Sequence, residues 1–294
     1  MDAAALFVQK GRRKLRQFQY VFENDRFEST DISLLSGDLL ESGIEEIDFL
    51  NDPENTVFMR RTDGKIACMT YEPTIGMNAM YLYGIAGTDA VVESICTIDG
   101  SIAEEKDELW MVVSRTINGA TRRYIEVLDW GLLDEDEDEE AFFFDSGITV
   151  VNGTPSTAVS GLSHLEGETV SIFADGAPQA DKVVSSGAIT LDVAATTVNV
   201  GLDFSSYFEM LPARVPSNAG STRSMMKRPV GVFARVHRSL GMKAGADADS
   251  MREYIHGPPD NFDTPYPPFT GLLELDFDSD SSYDVPIRIE SSSG

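Results

Sequence analysis

Along most of this chain hydrophobic and polar residues alternate in short runs, and each run ends in glycine, asparagine or aspartate. A period of two marks strands. Thr56-Val57-Phe58-Met59-Arg60 and Lys65-Ile66-Ala67-Cys68-Met69-Thr70-Tyr71 flank Thr62-Asp63-Gly64. Leu109-Trp110-Met111-Val112-Val113-Ser114-Arg115 and Arg122-Arg123-Tyr124-Ile125-Glu126-Val127-Leu128 flank Asn118-Gly119. Asp-Gly and Asn-Gly between such runs predict hairpins, and Asn118-Gly119 fits a type I′ turn because both residues tolerate positive φ. Ala90 to Ile98 predicts a further strand. Near the amino terminus, Leu6-Phe7-Val8, a basic turn with Gly11 as its turning residue, and the run from Leu15 to Phe22 predict a first hairpin. One short helix is expected near residues 31–42. Thr30 or Asp31 caps it, Ile32, Leu35 and Leu39 supply its apolar stripe, and Gly43 ends it in a left-handed conformation.

These elements predict an all-β, mainly antiparallel fold. Residues 1–133 have the strand rhythm of a partial β-propeller, without an exact internal repeat. Residues 134–144 begin with seven consecutive acidic residues, Asp134 to Glu140, and are expected to be an exposed loop. Residues 145–204 form a small β-barrel or sandwich module. Its strands are expected at Thr169–Ala174, Lys182–Val184, Ala188–Leu191 and Thr197–Gly201, with Asp175-Gly176 as a turn. Residues 205–294 are an irregular C-terminal β region. In it Val230 to Arg238 is a strand, Gly241 to Ser250 a small-residue loop, and Gly257 to Pro268 a stiff Pro-rich segment. Asp284 to Ile289 is a last strand, which Pro286 places at a sheet edge.

Composition adds two constraints. A hydrophobic content of 42% is enough for a packed core, while no run approaches the roughly 20 apolar residues that a membrane helix needs. The net charge of −26 opposes binding to a nucleic-acid backbone, since phosphates would be repelled. It does suit a wall along which DNA slides without sticking; a halophilic or marine origin would explain the same number. Positive charge gathers in one place, at Lys10, Arg12, Arg13, Lys14 and Arg16. That cluster reads as a solvated hairpin tip or as a contact for an acidic neighbouring subunit. Cys68 and Cys96 both sit in alternating apolar runs and are expected to be buried free thiols.

Reactive constellations are scarce. The sequence has no Gly-x-Ser-x-Gly, no phosphate-binding glycine loop, no His-Glu-x-x-His and no Cys-x-x-Cys. His164, His237 and His256 are far apart along the chain. His164 reads as a hydrogen-bonded structural residue and His237 as solvent- or interface-facing. Ser224-Met225-Met226-Lys227 matches Ser-x-x-Lys without companion motifs. Asp134, Asp136 and Asp138 alternate as in a calcium loop, but Glu139 stands where that loop needs glycine and Asp145 where it needs glutamate. The residues therefore predict no catalytic, cofactor-binding or metal-binding site.

An ordered series of segments resembles one family. It runs from Phe7-Val8-Gln9-Lys10-Gly11-Arg12-Arg13 through Arg61-Thr62-Asp63-Gly64-Lys65-Ile66 and Val91-Val92-Glu93-Ser94-Ile95. It continues with Asp107-Glu108-Leu109-Trp110-Met111-Val112-Val113 and Arg123-Tyr124-Ile125-Glu126. The most telling block is Gly161-Leu162-Ser163-His164-Leu165-Glu166-Gly167-Glu168-Thr169-Val170, followed by Ala174-Asp175-Gly176. Over residues 5–215 the series is similar to the nozzle proteins, or tail tubular proteins B, of short-tailed bacteriophages. The resemblance implies a non-enzymatic virion protein, assembled in the host cytoplasm, which forms a six-fold ring around the DNA channel. Implied partners are further copies, an adaptor or portal-side protein and tail fibres, with DNA passing through unread. The chain is shorter than the family, so a second chain is expected to supply the missing N-terminal half. The alternative expectation is a fibre-docking or host-recognition module that binds surface polysaccharide, with Tyr254, Phe262, Tyr266 and Phe269 as exposed aromatics. A hydrolase acting on that polysaccharide is a third.

Overall fold

The runs around Val57 and Ala67 are apolar at nearly every position, so strands built from them need cover on both faces. The rest of the amino-terminal unit is arranged to give it. The computed structural model describes residues 4–100, 106–131, 137–212, 216–217, 220–221, 225–255 and 268–291. The chain is all-β and antiparallel, and it divides into two units. The first holds residues up to Trp130 together with Ser163–Glu168 and Ser185–Gly187, and the second holds the remainder.

The first unit is three consecutive meanders. β1 (Ala4–Val8), β2 (Leu15–Val21) and β3 (Arg26–Asp31) form one sheet in sequence order. β4 (Ile44–Leu50), β5 (Thr56–Arg61), β6 (Ile66–Glu72) and β7 (Met77–Tyr83) form the second. β8 (Val91–Ile98), β9 (Glu108–Ile117) and β10 (Ala120–Val127) form the third, with β10 and β8 at its edges. The second sheet lies between the other two. Val57, Met59, Ala67 and Met69 pack on one side against Leu15 and Leu40, with Leu6 and Val8 beside them. Phe58, Ile66 and Cys68 pack on the other side against Val92, Ile95, Leu109, Met111 and Val113. Each of the larger side chains (Val, Leu, Ile, Met and Phe) contributes about 1.5–3 kcal/mol on full burial, so the two cores depend on both neighbouring sheets being present.

Carboxylates join the layers at their edges. Glu46 on β4 accepts from the Ile95 backbone N–H (2.9 Å) and the Ser94 hydroxyl (3.1 Å) on β8, and it also binds Arg60. Asp48 accepts from Thr97 N–H at 2.7 Å. Asp107 accepts from the backbone N–H groups of Gly100, Asn51 and Asp52. Edge N–H groups that would otherwise invite another strand are thereby occupied. Arg115, fully buried, donates to the Ala86 carbonyl and to both oxygens of Glu126.

The turns follow the sequence closely, with one exception. Asn118 and Gly119 have φ of 47° and 72°, which is the type I′ pattern. Gly64 has φ of 75°, and a Cβ there would lie 2.3 Å from the Val91 side chain, so only glycine fits. In the first hairpin the left-handed residue is Arg12 (φ 60°), not Gly11; its carbonyl thereby accepts from Ile44 N–H at 2.7 Å, where β4 begins. The expected helix is a kinked 3-10 segment, Leu34–Leu40, followed by Gly43 at φ 93°. Its phase differs from the expected stripe: Leu40 is buried while Leu35 is almost fully exposed. The buried Ser33 fixes this phase, taking the Leu15 N–H and giving its hydroxyl to Asp31.

In the second unit β11 (Asp145–Ser160), β12 (Thr169–Ala174), β13 (Ala177–Val183) and β14 (Ala188–Leu202) form an open sheet in the order β11-β14-β12-β13. No sheet closes into a barrel among the described residues. The two short strands expected over 188–201 are one continuous strand. β11 continues past Pro155 because the register shifts between Val151 and Ser156, a bulge that leaves the proline outside the ladder. Beyond it lie β15 (Tyr207–Met210), β16 (Pro216–Ser217), β17 (Gly220–Ser221), β18 (Gly231–Ser239), β19 (Gly241–Gly245), β20 (Arg252–Ile255), β21 (Phe269–Asp276) and β22 (Ile287–Ser291). The β18–β21 pair packs Val232, Ala234 and Leu275 against Met242, Ala244 and Ile289 of the sheet β15-β22-β19-β20.

Gly241–Gly245 is a strand, not a loop, with Met242 and Ala244 turned into the core. β22 lies inside its sheet, and Pro286 precedes it, so no edge is required. In the acidic run Asp134 and Asp136 lie outside the described residues. Asp138 is bound by Arg238 through Nε (2.9 Å) and Nη2 (2.7 Å).

Two predictions follow from the first unit. Glu46 is held below its ordinary value of 4.5: burial opposes this, and the Ile95 N–H, Arg60 and Ser94 outweigh burial. Asp107 is held below 3.8 by the N–H groups of Gly100, Asn51 and Asp52. A depressed carboxylate contributes stability above its unfolded pKa that disappears as pH falls through the folded value. Acid unfolding is therefore expected to begin as pH drops below about 4.5, and Glu46→Gln should flatten the upper part of that profile in denaturation series run at stepped pH. Gly64→Ala forces a left-handed residue against Val91 and is expected to cost at least about 1–2 kcal/mol, measured by urea denaturation.

Candidate functional site

Strand polarity singles out the first surface. On β2, Phe18 and Tyr20 alternate with Gln17 and Gln19. The usual arrangement turns the aromatics to the core. Here the opposite holds. Leu15, a core residue, shares its side of β2 with Gln17 and Gln19, whose side chains bond to each other at 2.6 Å. Phe18 and Tyr20 face away from the unit, and cross-strand partners put Phe7 and Phe27 on the same outer face. Phe27 is 64% exposed, stacked on Phe18 (centroids 5.2 Å) and edge-on to Tyr20 (5.3 Å).

The basic cluster borders this face. Lys14 pairs with Asp31 at 2.8 Å, Arg12 reaches Glu45 at 3.5 Å, and Arg16 donates to Ser29 and Gln9. Lys10 and Arg13 make no ion pair among the described residues. Three of the five cations are thus committed within the fold, and two remain at the turn.

The outer face of the third sheet is apolar as well. Trp110 and Val112 on β9 lie on the side opposite the core, with Cys96, Ile125 and Val127 as direct cross-strand partners. Ile125 is 70% exposed. The three-sheet stack therefore ends in two apolar outer faces. Cys96 belongs to one of them and is exposed, which corrects the expectation of two buried thiols. The alternating run around Cys96 covers a strand whose two faces differ: Ile95 turns to the core and Cys96 away. Cys68 is buried, and burial pushes its thiol up to about 12.

A groove is the third feature. The tip of the β9–β10 hairpin and the 3-10 turn Ser163–Leu165 border an open groove of about 680 Å³, lined by Asn118, Arg122, Tyr124, Ser163, His164 and Glu166 among others. Two stretches singled out in the sequence meet here. Tyr124 donates its hydroxyl to the His164 carbonyl (3.2 Å) and packs edge-on against the His164 ring (6.0 Å). Glu168 accepts from Asn118 N–H at 3.3 Å. Both oxygens of Glu166 are taken by the N–H groups of Ser186 (2.9 Å) and Gly187 (2.7 Å).

Among the described residues no three His, Cys, Asp or Glu side chains are placed to hold a metal ion. His237 is exposed on β18, and His256, Ser224, Phe262 and Tyr266 lie outside the described residues. Of the expected exposed aromatics, Tyr254 is instead packed against the core around Met242 and Leu275. The sequence matches no protein-family model and no curated protein.

The β9–β10 hairpin and the stretch around His164 are each visible in the sequence, but no groove is, since nothing in a chain pattern pairs Tyr124 with His164. It missed Phe27, because β3 carries too few apolar positions to read as a strand. The inverted polarity of β2 is invisible until the sheet's core side is known.

In dilute native protein one thiol, Cys96, is expected to react with a thiol reagent, and both after unfolding; mass spectrometry of the alkylated peptides reads this directly. Glu166→Ala removes the acceptor of two turn N–H groups that water reaches, and is expected to cost about 1 kcal/mol in urea denaturation.

Proposed function

We propose that this chain is a structural subunit of the tail nozzle of a short-tailed bacteriophage, a non-enzymatic virion protein whose copies pack side by side around the DNA channel. The supporting observation is the inverted polarity of the first sheet: a strand that turns its aromatics outward and its glutamines inward is built to be covered. A second apolar face closes the other end of the stack. Two different faces at opposite ends of one slab give a heterologous, head-to-tail contact, and such contacts close into rings when the rotation permits. Apolar burial drives the contact, and the basic turn beside the aromatic face meets an acidic neighbour. The net charge of −26 keeps phosphate from adhering to the assembled wall. The adaptor above and tail fibres outside are the partners under this reading.

Sedimentation velocity on the full chain tests it. Concentration-dependent association is expected. Phe27→Asp and Ile125→Asp should each weaken it by about 2 kcal/mol or more, roughly 30-fold. A mixture of the two variants should recover a single contact and stop at dimers, since each retains one good face. Alkylation of Cys96 should slow as association proceeds. A chain that stays monomeric at every concentration, or variants that assemble like the parent, would sink the proposal.

A further inference from the structure

β10 is an open edge of its sheet. The Asn118-Gly119 turn makes Ile117 and Ala120 the closing pair of the hairpin. In that register Ala120, Arg122, Tyr124 and Glu126 exchange backbone hydrogen bonds with β9, while the N–H and C=O groups of Thr121, Arg123 and Ile125 point away from the sheet. Those outward groups have no partner among the described residues. The edge is thus a row of unsatisfied donors and acceptors at two-residue spacing, beside the groove.

A side chain at the same place is also without a bound partner. Arg122 lies directly across from Arg115. Like charges opposite each other on a sheet destabilise it. Arg115 is neutralised by Glu126. Arg122 has no ion pair among the described residues, in a chain with 49 acidic and 23 basic residues. The other groups of the groove do not bind it: both oxygens of Glu166 are turned to the N–H groups of Ser186 and Gly187, which leaves its charge in place but holds it off the guanidinium, and Arg123 is held by Glu93 at 2.8 Å. The groove therefore presents a guanidinium with no carboxylate bound to it, next to a free strand edge.

We propose that this groove receives an extended acidic peptide segment of a partner protein, which adds to β10 as a further strand and sets a carboxylate on Arg122. Backbone pairing supplies the affinity and the Arg122 carboxylate contact the register, the mode in which sheet edges take peptides. An acidic sugar or a free carboxylate would satisfy Arg122 and leave the outward N–H and C=O groups of Thr121, Arg123 and Ile125 unpaired. The inference is independent of the ring reading, since it concerns an edge and not the outer faces of the stack.

The test uses the full chain and a capped seven-residue peptide in which valine alternates with aspartate and glutamate, followed by calorimetry or fluorescence anisotropy. Three comparisons accompany it: the same peptide N-methylated at alternate amides, an oligogalacturonate of similar charge, and the protein variants Arg122→Glu and Lys65→Glu. Lys65 is exposed and distant in sequence, so its variant controls for the same change in net charge. The expected result is saturable binding of the peptide, weakened at least tenfold by Arg122→Glu and by N-methylation, and unchanged by Lys65→Glu. Absence of peptide binding overturns the proposal, and so does equal binding by the Arg122→Glu variant. Equal binding of the N-methylated peptide or of the oligogalacturonate also overturns it, because either would mean a simple anion site without strand addition.

Discussion

The first unit depends on burying both faces of one sheet. β5 and β6 are apolar on either side, and a sheet of that kind has no stable solution in water unless a layer covers each face. The two flanking meanders are therefore conditions for the middle one to fold. The same requirement propagates outward. A flanking sheet that gives its inner face to the core still has an outer face, and here both outer faces carry large apolar side chains. The stack is sealed in its interior and left unfinished at its two ends.

Polar groups complete the arrangement where burial cannot. Stacked sheets expose edge N–H groups at every layer boundary, and an acidic chain has carboxylates in excess to occupy them. Glu46 and Asp48 on β4 reach the neighbouring strand β8, and Asp107 gathers three backbone N–H groups in one loop. Part of the high acidic content is thus structural. It substitutes for ladder hydrogen bonds that meanders cannot make with one another, and it binds the layers through groups whose charge persists at neutral pH.

Much of this was legible in the sequence, and the limits are physical. Turn chemistry is local, so Asp63-Gly64, Asn118-Gly119 and Asp175-Gly176 identified their hairpins correctly. Strand existence in β5, β6, β9 and β10 followed from the short β-type runs that flank those turns. Sidedness did not, because alternation states that two faces differ and not which one is covered. β2 shows the consequence: its glutamines are inward and its aromatics outward. The phase of the 3-10 segment failed for a related reason. It is set by Ser33 bonding to Leu15, a residue in a different element. Continuity of β11 through Pro155 was hidden because a bulge excuses the proline, and a bulge depends on the partner strand.

Charge and association can be reconciled within the same geometry. A chain of −26 repels its copies at long range, but at physiological salt charges separated by more than about 8 Å are largely screened. Contact is then decided by what lies within a few ångströms of the touching surfaces. At the β1–β2 turn beside the aromatic face that local inventory is basic, with Lys10 and Arg13 unpaired, while Glu23 and Asp25 stand at the other end of the same face. The excess acid is distributed elsewhere, over edges, loops and the run that includes Asp138, itself bound to Arg238. Global acidity and local basicity are compatible because they act over different distances. The first keeps the assembled surface from collecting polyanions. The second gives one end of an apolar face a basic edge, which offsets the like-charge penalty that the rest of the chain would impose on any neighbour of its own kind.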